Sequence, residues 1–229
     1  MQYLSQRLAS ESTRTRERER PRGTLAASQR EQILAATERL ITGKGCAKTT
    51  IEAIVKKAGV SSVTFYEHFA GKEECFVAAF DAAVEETRAE LIEAVPDELP
   101  WPDRVRAGLA ALLAAIDADP ARARLCFVEA QQGGPQLLAR YEAALDEAVP
   151  LLREGRTLEP GAADLPDTLE QAIVGGLAWL LRERLELGGG DGVGDLLPKM
   201  IDIALSPYLG DDDGDAALAA AAEPAAGDG

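Results

Sequence analysis

The chain has 229 residues, 46 % of them hydrophobic but only 5 % aromatic, and a net charge of −15. That length suits one large domain or a small head on a larger body, and a composition led by Ala and Leu favours helices over sheets. The longest apolar runs, such as 107–116, reach about half the ~20 residues of a bilayer span, the Arg-rich polar start is unlike a secretory leader, and one histidine with three scattered cysteines leaves no Cys/His zinc set.

The expectation is a soluble, cytoplasmic protein with no membrane segment, metal or cofactor. Cys46, Cys75 and Cys126 read as reduced thiols packed as small apolar groups; a redox-sensing thiol is the alternative. The charge is uneven. Residues 1–72 hold thirteen Lys or Arg against seven Asp or Glu, whereas residues 73–229 hold eleven against 32. A basic head on an acidic body suits contact between the head and a polyanion, with the body repelling the rest of it.

In chain order, residues 1–27 form an Arg-rich arm that is disordered by composition. A first helix is predicted from Ser28, where "SQRE" has the form of a capping box, and Gly43 and Gly45 end it. A second box, "TTIE" at Thr49–Glu52, opens a short helix that Gly59 breaks. Ser61 caps a third helix, with Phe65 and Phe69 pointing inward and Ser62, Val63 and Thr64 left outside. A long fourth helix runs over 72–94. Helices follow at 101–118, 120–132, 135–155 with a bend at Pro150, 166–187 and 195–205, the last stopped by Ser206-Pro207. Residues 210–229 are an acidic, alanine-rich tail, expected to be disordered. The predicted class is all-α, about nine helices: a three-helix head over 28–72 and a helical body over 73–209.

Two helices around a glycine turn form a helix-turn-helix. Its second helix can lay its first turn against base edges in the major groove. The candidates are Ser61, Ser62, Thr64 and Val63, whose side chains suit bases or a thymine methyl, with Tyr66 and His68 on flanking phosphates. Lys72 sits at a helix N-terminus, itself an anion site, and Thr49 and Thr50 start the preceding helix. Each of these also reads as a cap or plain surface.

The run "TTIEAIVKKAGVSSVTFYEHFAGKEECF" resembles the DNA-binding signature of tetracycline-repressor-like, or TetR-family, regulators. Thr49, Thr50 and Ile54, then "AGVS", then Thr64, Tyr66, His68 and Phe69, then "GKEE" carry the likeness, over about residues 28–76. Val55 replaces a usual alanine, and Ser62 and Val63 stand where many members have a basic residue and glycine, so no Arg is available here to fork onto guanine. The resemblance implies a DNA-binding regulator that is not an enzyme. It would be a repressor, though an activator is not excluded by these residues. It implies a homodimer on a pseudo-palindromic double-stranded operator, nucleoid-associated through that binding and released by a small effector.

In the body, Trp101, Phe127, Glu129, Tyr141 and Trp179 are candidate pocket liners, each also readable as core or surface. Glu129 is the candidate polar anchor. The effector is expected to be hydrophobic and neutral or cationic, because the body has few basic residues to hold an anion. Helix 166–187 is apolar nearly all round and must be covered on most sides. Ile173, Gly176, Leu177 and Leu180, with Leu197, Ile201 and Leu205 from the last helix, are therefore assigned to a dimer interface; intramolecular core is the other reading. The enzyme alternative lacks a second histidine, a phosphate-cradling glycine loop and G-x-S-x-G. A helical adaptor without DNA contacts is the remaining alternative.

Overall fold

The computed structural model describes residues 22–159, 161–187 and 192–209, with side chains described from residue 27 onward. The described residues are helical throughout, with no strand among them. We number the helices α1 (Arg22–Lys44), α2 (Ile51–Ala58), α3 (Ser62–His68), α4 (Lys72–Ala94), α5 (Trp101–Ala118), α6 (Pro120–Phe127), α7 (Pro135–Asp146), α8 (Val149–Arg153), α9 (Gly155–Leu158), α10 (Leu169–Leu187) and α11 (Leu197–Leu209). With the broken segment α7–α9 counted as one, these make the nine expected. Short 3-10 turns lie at Glu129–Gln132, Ala162–Asp164 and Gly194–Leu196.

The head is built by local signals. Gly45 ends α1 with φ of +84°, and its N–H donates to Ile41 O at 2.7 Å. Gly59 closes α2 at φ +71°, and its N–H reaches Val55 O. The hydroxyl of Ser61 caps α3, accepting from Thr64 N at 3.0 Å. Ile33, Ile41, Ile54, Phe65 and Phe76 are sealed inside. The same apolar cluster continues into Leu125, Ala130, Leu137 and Tyr141 of the body, so head and body share one core at their junction. Two further clusters fill the far end of the body, around Trp101, Ile173 and Leu205 and around Leu113, Leu181 and Met200. There Glu170, fully buried, receives Arg156 Nε at 2.6 Å and the Tyr208 hydroxyl at 3.0 Å. The Arg156 hydrogen bond holds the Glu170 carboxyl below its ordinary range.

Five local expectations are corrected. The first helix starts at Arg22 rather than Ser28, because Leu25, Ala26 and Ala27 are good helix formers and prolong it; Ser28 therefore caps nothing. The cap of α2 is Thr50, which accepts from Ala53 N at 3.3 Å, and not Thr49. The 120–132 helix tightens after Phe127 into a 3-10 turn. The 135–155 segment breaks just before Val149, since Pro150 falls in the first turn of a new helix, where its missing N–H costs little. Pro207 lies inside α11, which continues to Leu209; in a last turn the proline forfeits only one ladder bond. The expected arm, apart from the helical residues 22–27, and the acidic tail 210–229 lie outside the described residues.

Candidate functional sites

The α3 surface is the first site. Val63 is 70 % exposed and Tyr66 58 % exposed, although both are bulky. Ser62 is exposed beside them. The three side chains make an uncovered stretch along α3. The Ser61 and Thr64 oxygens are 3.0 Å apart and bonded to each other, while Ser62, Val63 and Tyr66 stand exposed along α3. His68 is half-buried behind them. Lys72 is half-buried at the start of α4, its ammonium 5.8 Å from the centre of the Phe76 ring. Gly71 gives α4 no side-chain cap, which leaves first-turn N–H groups for an anion, although Glu73 and Glu74 stand in the same turn. Thr50 is exposed. Thr49 is the exception among the expected DNA contacts: it is fully buried, and its hydroxyl turns inward to donate to Gly45 O at 2.9 Å. It shapes the turn before α2 and is closed to solvent.

The second site is a void in the body. Two chambers, of about 480 and 680 Å³, share Leu91, Ile92, Leu112, Phe127, Leu145 and Leu151 in their walls and so adjoin. The first adds Trp101, Gly108 and Leu109; the second adds Phe80, Thr87 and Tyr141. Both volumes are typical of small-molecule sites. Ile92 and Leu151, 71 % and 65 % exposed, belong to both walls and to the outer surface, so the void opens between α4 and α8. The wall arginines are already paired: Arg104 with Glu154 at 2.5 Å, Arg88 with Glu147, and Arg122 with Glu90 through two bonds of 2.8 and 3.0 Å.

Three of the five expected liners are therefore in place: Trp101, Phe127 and Tyr141. Trp179 is not; it is 57 % exposed on the outer face of α10. Glu129 is not either, and it is no solvent-facing acid. It is 7 % exposed, and its Oε2 accepts from Cys46 N of the head at 3.1 Å. The expected interface residues are also redistributed. Ile173, Leu180, Ile201 and Leu205 are buried within the chain itself, because α10 packs on α6, α7, α8 and α11. Gly176, Leu177 and Leu197 are half-buried, and Leu177 lines the first chamber. What α10 leaves outside is Trp179 beside Gly175 and Gly176, both with open space where a Cβ would stand.

Burial pushes the Cys46 and Cys126 thiols up to about 12 and Cys75 up to about 11, so all three are protonated and poorly nucleophilic near neutrality. Among the described residues no cluster of three metal-ligating side chains occurs, and no helix is long and apolar enough to cross a membrane.

Residues 33–79, from the inner face of α1 through α3 into α4, match the family model of the bacterial regulatory proteins of the tetR family. Residues 33–79 thus form a tetR-family DNA-binding head. It is 26 % identical over 153 residues, 66 % of this chain and 70 % of the relative, to the HTH-type transcriptional regulator EthR of Mycolicibacterium smegmatis. It is 26 % identical over 118 residues, 52 % of this chain and 54 % of the relative, to the transcriptional activator FasR of the same species. Its fold is similar to that of the regulator FadR from Bacillus subtilis, solved in complex with stearoyl-CoA, with a TM-score of 0.65 at 17 % identity over 77 % of this chain and 98 % of that one. Within the matched stretch, Ser62, Val63 and Tyr66 stand exposed on α3 and Thr49 is buried in the turn before α2.

Proposed function

We propose that this regulator is a ligand-responsive repressor that binds a pseudo-palindromic operator as a homodimer and leaves it when a small lipophile fills the body. The observation that carries this reading is the void itself. Two joined, mostly aliphatic chambers with an apolar mouth at Ile92 and Leu151 lie directly beneath the shared core of head and body. A cavity of that size with so little polar lining favours a flexible apolar guest. The FadR neighbour's stearoyl-CoA supports a long-chain guest for this fold. The wall arginines are committed to carboxylates, so a neutral or cationic lipophile enters without breaking an ion pair and an anion must displace one.

For assembly, the supporting feature is the outer face of α10. Trp179, one turn on from the open Gly175 and Gly176, is a large apolar side chain beside backbone that another helix can approach closely. A two-fold pairing through this face spaces two α3 helices for half-sites about one DNA turn apart, roughly 34–36 Å.

The test uses a duplex selected from a random library by the protein itself, with 1-decanol, decyltrimethylammonium and decanoate as probes. The neutral and cationic probes should raise the melting temperature and release the duplex. If decanoate alone does so, the ligand reading is wrong and the DNA-binding head is untouched. Deleting the gene should raise transcription beside the bound site; a fall there makes the regulator an activator, the role named for FasR.

A further inference from the structure

We propose that Glu129 is the residue that couples the cavity to the head: its carboxylate latches the turn that carries the helix-turn-helix, and a guest in the chambers withdraws it. The inference rests on reading the void as the effector site. It goes beyond that reading by naming the residue and bond through which occupancy is felt.

The geometry starts at α6. Ala123, Cys126 and Phe127 face the second chamber, and Phe127 also walls the first, so one ring meets any guest that spans both. Two residues later the chain tightens into the 3-10 turn Glu129–Gln132. That turn is tied to the body on one side. Gln131 Nε2 donates to Phe127 O and to the Tyr141 hydroxyl, each at 3.2 Å, and Gln131 Oε1 accepts from Arg182 at 2.7 Å. On its other side it grips the head. Glu129 Oε2 accepts the Cys46 N–H at 3.1 Å, and the Cys46 thiol lies 3.6 Å from Glu129 O.

The gripped atom belongs to a stiff piece of chain. Thr49 N–H donates to Cys46 O at 3.1 Å, and the Thr49 hydroxyl donates to Gly45 O. The next residue, Thr50, caps α2. Moving Cys46 N therefore moves the start of the helix-turn-helix. The packing leaves little play: a Cβ on Gly133 would stand 3.3 Å from the Cys46 sulfur and 2.3 Å from Leu137.

A fixing role alone does not require a carboxylate here. Burying a charge is costly unless it is paired, and among the described residues the carboxylate's ion-pair partner is the Arg124 guanidinium, 3.9 Å from Oε1. A charge-assisted bond to backbone N–H is stronger than a neutral one, yet it is lost once the separation passes about 3.5 Å. A displacement of Phe127 by a few tenths of an ångström, passed to a residue two positions on, is enough. Such a contact has two states, and the guest favours the open one.

The experiment compares wild type with Glu129→Met, which has similar volume, no charge and no acceptor, and with Glu129→Gln, which keeps an acceptor. Exchanging a buried charge for an apolar side chain of like size is usually tolerated, and circular dichroism checks the fold. Two quantities are read: amide hydrogen exchange of the peptide containing Cys46, and 1-decanol affinity with and without the selected duplex. In wild type, exchange at Cys46 should be slow and rise about tenfold when decanol saturates, and DNA should weaken decanol binding at least about fivefold. In Glu129→Met, exchange should be fast from the start and insensitive to decanol. Decanol affinity without DNA should stay within about twofold of wild type, and the DNA effect should shrink below about twofold. Glu129→Gln should keep slow exchange. If Glu129→Met exchanges as slowly as wild type, or releases DNA on decanol as wild type does, the latch is refuted while the cavity reading survives. Should decanol neither bind nor release DNA in wild type, the cavity reading falls instead. The latch then stands or falls on whether ligand-free Glu129→Met binds the duplex at least about fivefold more weakly than wild type.

Discussion

Head and body use apolar side chains to opposite ends. In the head, Ile33, Ile54, Phe65, Phe69 and Phe76 fill the interior, and Ser62, Val63 and Tyr66 are left outside. In the body, Leu, Ala and Val line helices whose side chains stop short of one another and leave two joined chambers. Close packing is what native interiors normally reach, so an unfilled region of this size has room for a guest to supply the missing contacts. The lesson concerns mutation. Removing volume should damage the head, and adding volume should silence the body without harming it.

The sharpest contrast comes from Phe65→Ala. Phe65 is fully buried, and urea unfolding should show a loss of about 3–5 kcal/mol, as for other buried aromatic truncations. A loss below about 1 kcal/mol would mean the head is not the tightly filled half. Next is Trp179→Glu on the body's outer face. It should leave the melting temperature of dilute protein unchanged yet raise the dimer dissociation constant by at least about 30-fold, the effect of a hot spot worth ~2 kcal/mol. Sedimentation decides between this and an unchanged dimer, which would move the interface elsewhere. A charge at Ile201, by contrast, should misfold the chain, because that residue is 2 % exposed.

Smaller, and opposite in sign to Phe65→Ala, is Gly108→Leu. Gly108 lies in the middle of α5, lines the first chamber, and has nothing within 4 Å of an added Cβ. Replacing a mid-helix glycine should stabilise by about 0.5–1 kcal/mol, while decanol should no longer shift the melting temperature. Destabilisation there would mean the chamber is closed in solution. The smallest effect is expected for Lys72→Ala. Binding to specific and random duplex should weaken alike, with the salt slope falling by about one unit. An unchanged slope would remove the α4 N-terminus from the phosphate contacts.

The head was legible because its determinants are local. A glycine in the left-handed region and a serine accepting from the N–H three residues on can be read from neighbours in sequence. Even there the register slipped by one at Thr49 and Thr50, since only the fold decides which hydroxyl turns inward. The body was legible as helices and turns, and its aromatic liners Trp101 and Phe127 stood out. The aliphatic walls did not, because Leu112 or Leu145 beside a void looks in sequence like any core leucine. Helix α10 misled for a related reason. A helix apolar on every side must be covered, but its pattern does not say whether the cover comes from its own chain, as for Ile173 and Leu180, or leaves a face open, as at Trp179. Glu129 was picked out as a pocket anchor, and nothing in the sequence pointed to its place against the head. Its partner is 83 residues away, and an isolated acid among the 39 in this chain carries no mark of burial.

Gly45 bears on attempts to graft this head onto another body, or another head onto this one. Its φ of +84° suits glycine, and a Cβ there would sit 3.4 Å from Glu129 Oε2. The next residue must offer an N–H, which proline lacks. A transplanted head is thus compatible with this body only if it brings glycine followed by a residue other than proline at the end of its first helix, whatever operator its third helix reads. A chimera that obeys this two-residue rule should inherit the body's response; one that breaks it should bind its operator and ignore the ligand.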